Sequence, residues 1–261
     1  MNFNIPMNRE EFILGVTVQT SKPQNIRFIL KDAQQKRTVL TNRWTLVNGT
    51  KTIYINIPLC NMDGILTIYN DDIGNIPALS DPTFKFIKWF RLPLEKRYDI
   101  VDFNNPDLMS YVNFCQRFCF NCGVLQSGNY TSDDGKYLIE LLPTITENGR
   151  ELTTCARISK DDGHIQVSQA KFDPMTVPMR IVILLHEFSH YYINENIDDE
   201  TEADINALAI YLGLGYPRIE ASDAFTESFM GAPYESNGKR YEIIHKYIMN
   251  FDASKILVLQ K

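Results

Sequence analysis

A chain of 261 residues, 44% of them hydrophobic, has room for one large domain or two ordinary ones and enough apolar side chains to bury a core, which sets aside disordered and fibrous classes. A formal net charge of −6 without any Lys/Arg run argues against nucleic-acid binding. The N-terminus shows no basic segment followed by an apolar one, so no signal peptide is expected, and the longest aliphatic run, Ile181 to Leu185, is far shorter than the ~20 residues of a membrane span. Cys60, Cys115, Cys119, Cys122 and Cys155 make an odd count in a chain too large to need disulfide staples, so reduced thiols and a soluble, cytoplasmic protein are the expectation.

The first ninety or so residues read as short strands. Phe12, Leu14, Val16 and Val18 alternate with other residues, as do Ile26, Phe28 and Leu30, then Ile53, Ile55 and Ile57, then Leu66 and Ile68. Period two, broken by Ser21-Lys22-Pro23, Asn48-Gly49 and Met62-Asp63-Gly64, predicts an antiparallel β-sandwich or barrel. No catalytic constellation falls in it. Asp71 to Pro82, rich in Asp, Gly, Pro and Asn, reads as a loop or linker.

From Pro93 the pattern turns to helices with a few strands, giving an α+β chain divided into a β-rich module over residues 1–92 and a second domain over residues 93–261. Pro106-Asp107 opens a helix running to about Val124. Tyr137 to Leu142, Thr153 to Ile158 and His164 to Ser168 read as strands, the last two joined by the turn Lys160-Asp161-Asp162-Gly163. Thr176 and Pro178 start a strongly apolar helix, and further helices are predicted over Asp199 to Leu212, Pro217 to Met230 and Lys239 to Asn250.

That apolar helix carries His186-Glu187-Phe188-Ser189-His190. Residues four apart share a helix face, so His186 and His190 can both aim a ring nitrogen at one ion. Glu187 lies about 100° around from His186, beside the metal without being forced to ligate it. A base must stand there to take a proton from a water whose pKa Zn²⁺ lowers to about 7. Two histidines and a carboxylate in a run otherwise free of charge, from Ile181 to Tyr192, need a partner to offset their desolvation, and a metal supplies one.

The third ligand separates the families. The metzincin continuation fails, because Ile193 stands at its glycine position and Asn196 at its third histidine. Glu200-Thr201-Glu202-Ala203-Asp204 instead resembles, position for position, the second ligand helix of gluzincins. The resemblance is thus to the gluzincin-like branch of the zincin superfamily and covers roughly Pro106 to Asn250. It implies a zinc-dependent peptidase, with His186, His190 and Glu200 as metal ligands, Glu187 as general base, and Asp204 orienting a histidine. The ten-residue step from His190 to Glu200 is shorter than in the best-known gluzincins, which leaves Asp204 open as the actual third ligand. Glu202 is expected to form a capping box with Asp199. By the same resemblance, His164 to Ser168 would be the edge strand that pairs with an extended peptide substrate, and the oxyanion donor would come from a later segment, with His245 ahead of Tyr241.

Cys115-x-x-x-Cys119-x-x-Cys122 reads letter for letter like the iron–sulfur motif of radical SAM enzymes, but Leu108, Val112 and these cysteines form one apolar helix stripe, which is the reading adopted. The rival function is a structural or assembly protein that keeps a zincin domain as scaffold, as zincin-like segments do in virion proteins of tailed bacteriophages; the chain would then be located in a virion. Intact Glu187 favours the enzyme, because a structural site needs no base. A peptide or protein substrate is expected, with the β module free to bind a protein partner.

Overall fold

The computed structural model describes residues 1–35, 37–58, 63–73, 82–94, 96, 102–230 and 235–251. Cys60 and most of the Asp71–Pro82 linker lie outside them. The chain is mixed α+β and forms two compact units, Met1–Glu95 and Lys96–Lys261. Among the described residues, no helix is long and apolar enough to cross a membrane.

The first unit is one five-stranded antiparallel sheet: β1 (Asn2–Ile5), β2 (Phe12–Asp32), β3 (Val39–Ile57), β4 (Gly64–Asn70) and β5 (Phe84–Pro93). The antiparallel strands expected for a sandwich or barrel are present, but fewer and longer than the several short runs suggested. Phe12 to Val18 and Ile26 to Leu30 are two ends of the single strand β2, which pairs with β3 along its whole length. Its near half also pairs with β5 and its far half with β4. Ser21-Lys22-Pro23 interrupts the ladder without ending the strand, as the register shift between Thr20 and Gln24 shows. Proline lacks the N–H that a ladder needs, and a bulge is where a sheet tolerates it. Leu14, Val16, Val18, Ile26, Phe28 and Leu30 are fully buried, the period-two face that the sequence announced. Gly15 faces β5 where a Cβ would collide with the Phe90 ring.

The second unit carries a four-stranded sheet in the order β10-β11-β7-β6, from β6 (Gly128–Thr131), β7 (Leu138–Leu142), β10 (Ala156–Ile158) and β11 (Ile165–Ser168). A two-stranded hairpin, β8 (Thr146–Glu147) with β9 (Arg150–Glu151), intervenes. β11 lies inside this sheet, parallel to β7 and antiparallel to β10. The expectation that His164 to Ser168 forms the edge is therefore corrected: β11 is an inner strand, and β10 forms the edge beside it.

Six helices are described in this unit: α1 (Pro106–Asn121), α2 (Gln169–Phe172), α3 (Val177–Tyr192), α4 (Glu200–Gly213), α5 (Arg218–Met230) and α6 (Glu235–Asn250). Asn105 caps α1 by accepting from the N–H groups of Asp107 and Leu108. Leu108, Val112, Cys115, Cys119 and Cys122 are all buried, so the cysteine motif is core. The central helix α3 packs against α1, α4, α5 and β10. Thr176 caps it, and Phe188 stacks between Tyr111 and Tyr192, with Tyr137 edge-on to all three. Arg180 is entirely buried, yet its guanidinium donates to the carbonyls of Cys119, Phe172 and Asp173, which lie at or near the C-terminal ends of α1 and α2. Helix C-termini leave carbonyls unpaired and carry partial negative charge, so they offset the cation's desolvation.

Candidate metal centre

α3 ends at Ile193, whose N–H together with that of Asn194 bonds to the Ser189 carbonyl. Six residues after Ile193, Asp199 caps α4, accepting from Thr201 and Glu202 N–H. His190 lies next to Glu200 and His186 next to Asp204, which makes the two helices antiparallel. Glu202 does not complete a capping box. Its carboxylate accepts instead from the loop N–H groups of Glu195 and Asn196, pinning the connection.

His186, His190 and Glu200 converge, each offering one ligand atom, all within 4.8 Å of one another. The two Nε2 atoms are 3.1 Å apart. Glu200 Oε2 lies 3.4 Å from His186 Nε2, and Oε1 lies 3.5 Å from His190 Nε2. His190 Nδ1 is 2.8 Å from the Ile197 carbonyl, which can only accept, so Nδ1 carries a proton and Nε2 is the ring nitrogen turned to the cleft. His186 Nδ1 is 2.9 Å from Oδ1 of fully buried Asp204, an ion-pair contact outside good hydrogen-bond geometry. Asp204 thus stands behind His186, away from the point where the other donors meet.

The electrostatics follow from burial and charge. Burial lowers the pKa of His186, but Asp204 and Glu200 outweigh it and raise the imidazole to about 10. Glu200 is held well below the usual carboxylate range by His186 and His190, with Arg240 adding to the effect. Burial pushes Glu187 upward, while His186, His190 and, less, the Ile158 backbone on β10 pull it back. Glu187 lines the same cleft as the β10 residues Ala156 and Ile158 and lies outside the converging group of His186, His190 and Glu200.

The cleft around these groups has a volume of about 530 Å³ and is walled by β10, α3, α4, α5 and α6. Sequence reasoning missed Arg240, the α6 side chain that enters it. Arg240 donates from Nε to Asp204 Oδ2 at 2.8 Å and from an Nη to Oδ1 at 3.0 Å, and the same Nη is 3.0 Å from Glu200 Oε2. His245 is exposed and stacks on Tyr241, and neither lines the cleft. Five residues on from Arg240 is about 140° around the helix, which turns His245 away. Nothing local singled out Arg240, because its partners lie 36 and 40 residues earlier.

Neither a protein-family model nor a curated protein matches this chain.

Proposed function

We propose that the second unit is a zinc-dependent peptidase of the zincin type, with His186, His190 and Glu200 as ligands and Glu187 as general base. One observation carries the reading: three donors of zinc-binding chemistry meet in a cleft beside a sheet edge, with a half-buried carboxyl outside the donor group. Donors about 2.0–2.1 Å from a tetrahedral zinc stand about 3.3–3.4 Å from each other. The two imidazole Nε2 atoms, 3.1 Å apart, are near that spacing, and the Glu200 carboxylate straddles them with Oε2 3.4 Å from His186 and Oε1 3.5 Å from His190. Three protein ligands are also the number a catalytic rather than a structural zinc site uses.

When bound, the ion supplies a Lewis acid for the substrate carbonyl and lowers the pKa of water towards about 7. The chain's own residues do the rest. Ser168 N–H donates to the Cys155 carbonyl and Ser159 N–H to the His164 carbonyl, so alternate residues of β10 bond to β11. The backbone groups of Ala156 and Ile158 then point away from β11, where an extended peptide can pair with them. Glu187, which lines the same cleft as Ile158, takes a proton from the attacking water and passes it to the leaving amine.

The test is Glu187→Gln, which keeps size but removes basicity. Zinc content and folding are expected to stay as in wild type, while hydrolysis of a peptide library falls by at least about 10²-fold. A zinc-loaded wild type that cleaves nothing in a broad library would overturn the peptidase reading and leave a structural zinc site.

A further inference from the structure

We propose that Arg240 is the residue that stabilises the substrate's carbonyl oxygen as it turns negative, the role expected of His245 from the sequence. This rests on the peptidase reading above. Attack of water on a peptide carbonyl puts negative charge on that oxygen, and a donor fixed in place beforehand lowers the barrier more than one that must first be ordered. His245 and Tyr241 do not line the cleft, and its other basic side chains are occupied, Arg157 by Gln166 and Glu147 and Lys160 by Asp198. Arg240 lines the cleft, its side chain is only 16% exposed, and its Nη2 lies 3.0 Å from Oε2 of the ligand candidate Glu200. A carbonyl that reacts where the ligands converge therefore meets this guanidinium next to Glu200. The guanidinium is held firmly. Nε and Nη2 donate to buried Asp204, and the Phe229 ring packs against it at 4.8 Å. Because the group is planar, gripping Asp204 by that edge leaves Nη1 and its two N–H groups on the edge turned away from Asp204. Among the described residues Nη1 has no acceptor. A charged donor that is fixed in place and still without a partner is what a developing oxyanion needs.

The experiment uses the full chain loaded with zinc and the best-cleaved sequence of a peptide library. Arg240→Ala is expected to lower kcat about 10²–10³-fold with KM little changed and zinc content as in wild type, and added guanidinium ion should restore part of the rate. Arg240→Lys keeps the charge, but one ammonium held at Asp204 does not extend to a second acceptor. It should lose rate too, which keeps the test decisive if Arg240→Ala fails to fold. A binding measurement reads the same role without turnover. In the Glu187→Gln background, calorimetry should find that Arg240→Lys leaves the affinity for the uncut peptide nearly unchanged. The affinity for its phosphonamidate analogue, whose tetrahedral anion resembles the transition state, should fall by about 10²-fold. Equal losses for both ligands, or a loss of rate that only follows lost zinc, would overturn the proposal and reduce Arg240 to a brace for Asp204 and Glu200. A zinc-loaded wild type that cleaves nothing would remove the peptidase reading itself, and this assignment with it.

Discussion

Asp204→Asn probes the site with the smallest change of shape. Asp204 is fully buried, takes two bonds from Arg240 and lies 2.9 Å from His186 Nδ1. The amide keeps one acceptor but sets an NH₂ group against a guanidinium N–H, so the pair with Arg240 breaks. Removing one partner of a buried pair costs about 3–5 kcal/mol, and the lower end is expected because Arg240 retains Glu200. In a unit of this size a loss of about 3 kcal/mol lowers the melting temperature by roughly 6–12 °C. Zinc affinity should fall about 10–100-fold, since His186 loses the carboxylate that orients its ring. Thermal unfolding in chelator reads the first effect, and competition with a coloured chelator for zinc reads the second. An Asp204→Asn protein that melts with the wild type and holds zinc equally well would refute this wiring of the site.

Glu200→Ala is expected to weaken zinc binding more than Asp204→Ala, because it removes a ligand rather than its support; the reverse order in the same competition assay would make Asp204 the third ligand. Gly163 has φ +72° in the β10–β11 turn and a Cβ there would run into Tyr192, so Gly163→Ala should cost at least about 1 kcal/mol in urea unfolding. Burial pushes the Cys122 thiol up to about 12, partly offset by Arg180. A raised folded pKa gives stability that is complete below the unfolded value near 9 and is lost as pH rises through 12. Moving from pH 8 to pH 10 should therefore cost wild type about 1.4 kcal/mol more than Cys122→Ala, read as the difference in urea unfolding free energies.

The local chemistry of the site was legible in the sequence. Thr176 and Pro178 set the start of α3, His186 and His190 share a face because four residues make one turn, and Asp199 caps the helix that brings back Glu200 and Asp204. All of this depends on spacing within a few residues. Tertiary structure alone decided the rest. Strand order is a choice among non-local pairings, so periodicity did not reveal that β10 and not β11 forms the edge, or that two apolar runs were one strand continuing past Pro23. The rotation of α6 is set by burial of Ile244 and Ile248, which share a stripe with Arg240. Packing that stripe against α4 and α5 carries Arg240 into the cleft and leaves His245 outside, a result fixed by contacts between helices and not by either residue's neighbours in the chain.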